Sequence, residues 1–156
     1  MRLALFQPDI PQNLGAAIRL GACLGVAVDV IEPCGFPLSD AAIRRSALDY
    51  GVLAQVKRHA GWAGFVEHPL RTGRLVLFTT KAAQPLADFE FRPDDVLLFG
   101  RESAGVPDEV HAAAQARLFI PMVAGARSLN VVTAAALALG EALRQIKGFP
   151  AAERAD

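Results

Sequence analysis

Short apolar runs recur along this chain, separated by longer stretches whose apolar positions follow helical spacing. Arg2-Leu3-Ala4-Leu5-Phe6, Ala27 to Ile31 and Leu75 to Thr79 are rich in Val, Leu and Phe and predict buried strands. Val96-Leu97-Leu98-Phe99 and Arg117-Leu118-Phe119-Ile120 add two more, each followed at once by Gly or Pro. Helices are predicted over Asn13 to Leu24, Ser39 to Ala47, Trp62 to Glu67 and Pro107 to Ala114, with Ser39 as an N-cap and Pro107 in a first turn. Near-continuous apolar strands need both faces covered, so the alternation of strand and helix predicts an α/β domain with a mostly parallel sheet. No repeat or Pro/Ser-rich linker divides the chain. The expectation is therefore one domain over residues 1–150, followed by a polar tail, 151–156, that frays.

The last long element, Asn130 to Lys147, carries apolar residues all round its first turns, including Val131, Val132, Ala134, Leu137 and Leu139. Such a helix must be buried on more than one side. A small domain rarely covers two faces of a terminal helix, so a subunit interface, and hence a homodimer, is expected.

Composition narrows the class. With 53% hydrophobic residues in 156, the chain has material for one core, and disorder and solenoid arrays are excluded. Sixteen Lys+Arg balance sixteen Asp+Glu, so no global positive field recruits nucleic acid, and any such partner must meet a local patch. Two cysteines, Cys23 and Cys34, make no disulfide framework, and with three scattered histidines they offer no zinc spacing. A reducing cytoplasm and no metal are the expectation. A signal peptide is not expected, because Asp9 interrupts the first apolar stretch, and no apolar run reaches the roughly 18 residues of a membrane span.

Three segments place polar residues at the ends of apolar strands, where open α/β sheets hold ligands. In the first, Asn13 is either an N-cap or a site residue. Six positions on, Arg19 lies in an apolar helical stretch, so its guanidinium either snorkels to the surface or reaches a cleft. In the second, Gly100-Arg101-Glu102-Ser103-Ala104-Gly105-Val106-Pro107, the glycines match the outer pair of a P-loop. Val106-Pro107 stands where Lys-Ser/Thr is required, and no Gly-x-Gly-x-x-Gly follows any strand. What remains is a loop whose backbone can approach a ligand closely, or a plain strand-to-helix turn with Glu102 in solvent. In the third, Ile120-Pro121-Met122 to Arg127-Ser128-Leu129-Asn130, both Ser128 and Asn130 suit a helix N-terminus, and capping accounts for one of them.

Taken together and in this order, Asn13 to Arg19, Phe99 to Pro107 and Ile120 to Val131 resemble the three motifs of the SpoU branch of the SPOUT RNA methyltransferases. Within that branch the chain is similar to the minimal tRNA 2′-O-methyltransferases that modify the wobble nucleotide. The similarity spans nearly the whole chain, including Ile31-Glu32-Pro33, Leu48-Asp49-Tyr50 and Thr79-Thr80-Lys81. Arg101 stands where many relatives carry Asn or Pro, and Val132-Thr133-Ala134 replaces the commoner Ser/Asn-Ala-Val after Asn130. The resemblance implies a SPOUT-type sheet with flanking helices and a C-terminal trefoil knot, whereas chain-connection rules alone favour an unknotted sheet.

It also implies a cofactor, S-adenosyl-L-methionine, held by Phe78, Gly100, Ile120, Met122 and Ser128, and a tRNA substrate. A ribose hydroxyl is a poor nucleophile at neutral pH and needs a proton acceptor or a nearby cation. Arg19 is the residue the resemblance assigns to this activation, oriented by Asn13, Glu102 and Asn130, with Glu102 as its countercharge. Residues 1–81 hold nine Lys+Arg against six Asp+Glu, net +3, and residues 82–156 hold seven against ten, net −3. Arg44-Arg45, Lys57-Arg58-His59 and Arg71 to Arg74 are then either phosphate contacts or a solvated face. Tyr50 either stacks on a base or packs, and Cys23 reads as a small core residue. Competing readings are 2′-O-methylation of rRNA or another tRNA position, a silent RNA-binding dimer, and a flavodoxin-like nucleotide binder.

Overall fold

The computed structural model describes residues 1–39, 41, 43, 54–69, 72–82 and 84–151. Arg44, Arg45, Tyr50 and Arg71, most of the helix expected from Ser39, and all but the first residue of the tail lie outside them. In chain order the elements are β1 (Arg2–Phe6), α1 (Pro11–Leu24), β2 (Ala27–Ile31), β3 (Val56–His59), α2 (Trp62–Val66), β4 (Leu75–Phe78) and β5 (Gln84–Pro85). They continue with a 3₁₀ turn (Leu86–Asp88), β6 (Val96–Phe99), α3 (Asp108–Ala113), β7 (Ala116–Phe119) and α4 (Val131–Ile146). The strands form one sheet in the order β3-β2-β1-β6-β4-β7-β5, and every pairing is parallel.

Alternation across the pleat explains why the strands are apolar at successive positions. Leu3, Leu5, Val76, Phe78, Leu97 and Phe99 pack with Leu14, Ala17 and Ile18 of α1 and with Ala135, Ala138 and Leu139 of α4. The intervening positions, Ala4, Phe6, Leu75, Leu77, Val96 and Leu98, pack with Phe65 of α2 and Val110 of α3 on the other face. Both faces are covered, as the strand composition requires. Helix α4 buries one stripe in its own fold, Ala135, Ala138, Leu139, Ala142 and Leu143, and leaves Ala136 and Leu137 exposed, so a single chain covers one face of a helix whose apolar pattern runs all round.

Two helix starts and two edge strands differ from the sequence reading, each for a local reason. Helix α1 begins at Pro11 with Ile10 as its N-cap, so Asn13 sits inside the first turn and caps nothing. Pro107 is the N-cap of α3, its φ of −70° and ψ of 165° lying outside the helical region. Strands β3 and β5 were not anticipated. Each is a sheet edge, paired on one side only, and neither needs a continuous apolar run.

Charged groups inside the sheet are paired. Asp29, in the apolar run of β2, accepts hydrogen bonds from Arg2 Nε (2.6 Å) and Nη2 (2.8 Å) and lies 2.7 Å from His59 Nε2. Asp95, fully buried, accepts from Arg74 Nε and Nη2 and from the Arg92 N–H, each at 2.8 Å. Removing that carboxylate takes the acceptor from Arg74 Nε and the Arg92 N–H and one of two from Arg74 Nη2, which keeps the Glu90 carbonyl at 2.9 Å. Asp95→Ala is expected to cost on the order of 3 kcal/mol by urea unfolding; an unchanged midpoint and slope would show that other contacts hold this turn.

Candidate active site

The carboxyl ends of β4, β6 and β7, three neighbouring strands, open into a cavity of about 700 Å³. Phe78, Gly100, Ile120, Met122 and Ser128 all line it, as do Asn13, Glu102 and Asn130. Eight residues from four distant segments thus meet at one place.

The polar wall is a chain of side chains that ties these segments together. Glu102 Oε2 accepts from the Asp9 N–H (3.0 Å), and its Oε1 accepts from Asn13 Nδ2 (3.0 Å). Asn13 Oδ1 in turn accepts from Asn130 Nδ2 at 3.0 Å. The Asn130 Oδ1 accepts from the N–H groups of Val132 (2.8 Å) and Thr133 (3.3 Å), so Asn130 is the cap of α4 and Ser128 is left to the cavity. Because each amide is used at both ends, its orientation is set, and Glu102 is held against the cavity.

Asp9 braces the same loop and was missed by sequence reasoning, which saw in it only an interruption of an apolar stretch. Its Oδ2 accepts from the N–H (3.0 Å) and hydroxyl (2.5 Å) of Ser103. Those bonds, the hydroxyl's foremost, hold the Asp9 carboxyl below the usual carboxylate range, and the charge of Arg101 acts in the same direction. The loop itself is closed by a pair of backbone bonds, Arg101 N–H to Gly105 O (2.9 Å) and Gly105 N–H to Arg101 O (2.8 Å). Gly105 takes φ of 65°, which favours glycine. At Gly100 a Cβ would stand 2.6 Å from the Gly105 carbonyl carbon, so the backbones approach as closely as glycine alone permits.

Arg19 lies elsewhere. Leu14, Ala17, Ile18 and Gly21 form the buried face of α1, and Arg19 is on the exposed face with Ala16 and Cys23, which corrects the core reading of Cys23. It is not among the described residues lining the cavity. Glu102, expected as its countercharge, takes its hydrogen bonds from Asp9 and Asn13, both neutral donors. Of the basic residues considered for RNA, Lys57 is exposed on β3. Arg58 bridges to Glu32 (2.9 and 3.2 Å) and donates to the Leu38 carbonyl (3.3 Å), which ties β3 to the segment after β2. Among the described residues, no group of His, Cys, Asp and Glu is arranged to hold a metal, and no helix is long and apolar enough to cross a membrane.

A parallel sheet with a nucleoside-sized cavity at its strand ends, a tight glycine loop on one side and ordered carboxamides on another, defines an α/β protein that binds a nucleotide-like ligand. Residues 1–140 match the model of the SpoU rRNA Methylase family, and the chain belongs to that family. It is 58% identical over 145 residues to a tRNA (cytidine(34)-2′-O)-methyltransferase of Beijerinckia indica, covering 92% of this chain and 91% of that protein. A protein of the same name from Ancylobacter novellus is 52% identical over 150 residues, covering 96% and 95%. A solved structure from work on the 2-OH methylation of C/U34 on tRNA superposes with a TM-score of 0.86 at 41% identity, covering 94% of this chain and 96% of that one. The SpoU methyltransferase AviRb from Streptomyces viridochromogenes, solved with the cofactor AdoMet, gives a TM-score of 0.80 at 26% identity, covering 94% of this chain and 60% of that one.

Proposed function

We propose that this chain methylates the 2′-hydroxyl of the nucleotide at position 34 of tRNA, using S-adenosylmethionine. The observation that carries the reading is the Glu102–Asn13–Asn130 chain of hydrogen bonds at the mouth of the cavity, in a protein whose relatives at 52% and 58% identity bear that activity in their names. The cavity fits the cofactor on its own evidence. Its volume suits a nucleoside with a short tail, and Gly100 lines it where the loop backbone closes on Gly105 so tightly that no side chain fits.

Phe78, Ile120 and Met122 supply apolar walls for an adenine, Gly100 lets the backbone come close, and Ser128 offers a hydroxyl. The bound cofactor supplies an electrophilic methyl group. Asn13, Glu102 and Asn130 orient the ribose so that its hydroxyl faces the cavity, which makes positioning the main source of acceleration. The hydroxyl proton goes to a phosphate oxygen of the bound tRNA, the acceptor nearest the reacting ribose, and from there to solvent. A guanidinium does not serve as a base at neutral pH, so Arg19 acts by stabilising the developing alkoxide.

Arg19 stands outside the cavity of its own chain, so the complete site is built by two copies. Ile10, Met122, Val123 and Leu129, four of the six large apolar side chains exposed among the described residues, line the cavity, and a second copy would cover them. Methyl transfer from labelled cofactor into bulk tRNA, followed by nucleoside mapping, tests the proposal. Label at the 2′-oxygen of residue 34 is expected; label confined to rRNA or to another tRNA position would overturn it.

A further inference from the structure

Arg101 is the only cation among the described residues that line the cavity. Its Nε is, among the described residues, the one buried side-chain nitrogen or oxygen without a hydrogen-bond partner. The guanidinium lies over the Phe6 ring, 5.7 Å from the centroid, and the backbone on either side is pinned by the two bonds to Gly105. Two carboxylates stand nearby and do not satisfy it. Asp9 takes the donors of Ser103, and Glu102 takes the Asp9 N–H and the Asn13 amide.

A prearranged guanidinium with an unused Nε–H is a fork shaped for an oxyanion. On the proposed function, on which this inference rests, the nearest oxyanion to the reacting hydroxyl is the phosphodiester on the 3′ side, because O2′ and O3′ sit on adjacent ribose carbons. A polyanion approaching Asp9 and Glu102 is repelled unless a cation stands between them. We infer that Arg101 binds the 3′-phosphodiester of the methylated nucleotide and thereby positions its ribose against Glu102, Asn13 and Asn130. The same fork would also fit the carboxylate of the cofactor, so the test separates the two sources.

Full-length Arg101→Ala is expected to raise KM for tRNA about tenfold or more, and to reduce the slope of log affinity against log salt by about 0.7 to 1. Its affinity for S-adenosylhomocysteine should be unchanged, which also reports that the fold is intact. Arg101→Lys keeps the charge and so the salt slope, but recovers only part of the affinity. With a synthetic anticodon stem-loop carrying a neutral methylphosphonate 3′ of the target nucleotide, the wild type should fall to the level of Arg101→Ala, and the variant should lose nothing more. If Arg101→Ala fails to fold, the Lys variant and the wild type on the neutral substrate still decide the matter. Additive losses would overturn the assignment, as would weakened S-adenosylhomocysteine binding with unchanged tRNA affinity. Wild-type protein that methylates no RNA would remove the functional reading and this inference with it; active wild type with an indifferent Arg101→Ala removes the inference alone.

Discussion

Arg19→Ala is expected to slow single-turnover methylation at saturating tRNA by on the order of 10²-fold or more, as removal of a group that stabilises transition-state charge does. Cofactor affinity should stay unchanged, since Arg19 is outside the described lining of its own cavity. Arg19→Lys should recover little, because a point charge does not reproduce a planar fork that bridges ribose and phosphate. An arginine that merely snorkels predicts near-normal rates for both variants, and that result would end the catalytic assignment. The location on the exposed face of α1 adds a sharper test. In a mixed dimer of Arg19→Ala with a cofactor-dead protomer, an arginine serving its partner's cavity restores one working site, whereas an arginine serving its own cavity restores none.

Gly100→Val supplies that cofactor-dead protomer. Its Cβ would meet Gly105 carbonyl carbon at 2.6 Å and the Gly105 Cα and O at 2.9 Å, and all three are backbone atoms. The paired bonds between Arg101 and Gly105 keep that strand of the loop from giving way cheaply. Relief takes a loop displacement on the order of 1 Å, which spoils the close packing of the backbone against a bound ligand. Affinity for S-adenosylhomocysteine should therefore fall by about tenfold or more, with the circular dichroism of the folded chain retained. Gly100→Ala carries the same Cβ and should lose nearly as much. Unchanged affinity in either variant would mean that the adenosine lies away from this loop.

Five strands were legible because their two-sided burial writes itself as uninterrupted Val, Leu and Phe, and their ends fall within a residue of the structure. The edge strands were not legible. Val56-Lys57-Arg58-His59 looks like a basic patch because an edge strand needs only one apolar neighbour, and His59 is buried with Asp29, Phe65 and His68 beside it. Asn13 suited an N-cap on local grounds, and Pro11 took the helix start two residues earlier. Which of Ser128 and Asn130 caps α4 was open, since both have the chemistry and only geometry chooses.

From local pattern, this chain determined its α/β class, its core strands, the glycine loop after β6 and the polar residues at three strand ends. The expectation of a trefoil knot came from resemblance alone, because no periodicity encodes a threading. Only the tertiary structure decided that Glu102 answers to Asn13, 89 residues away, that Asn13 answers to Asn130, 117 residues away, and that Asp9 braces the loop. It also decided that Arg19 faces outward and that Arg101 keeps an unused donor. The reason is topological: β6 pairs between β1 and β4, which brings loops far apart in the chain to one end of the sheet. Hydrogen-bond partners are set there by distance in space, to which sequence spacing carries no local clue.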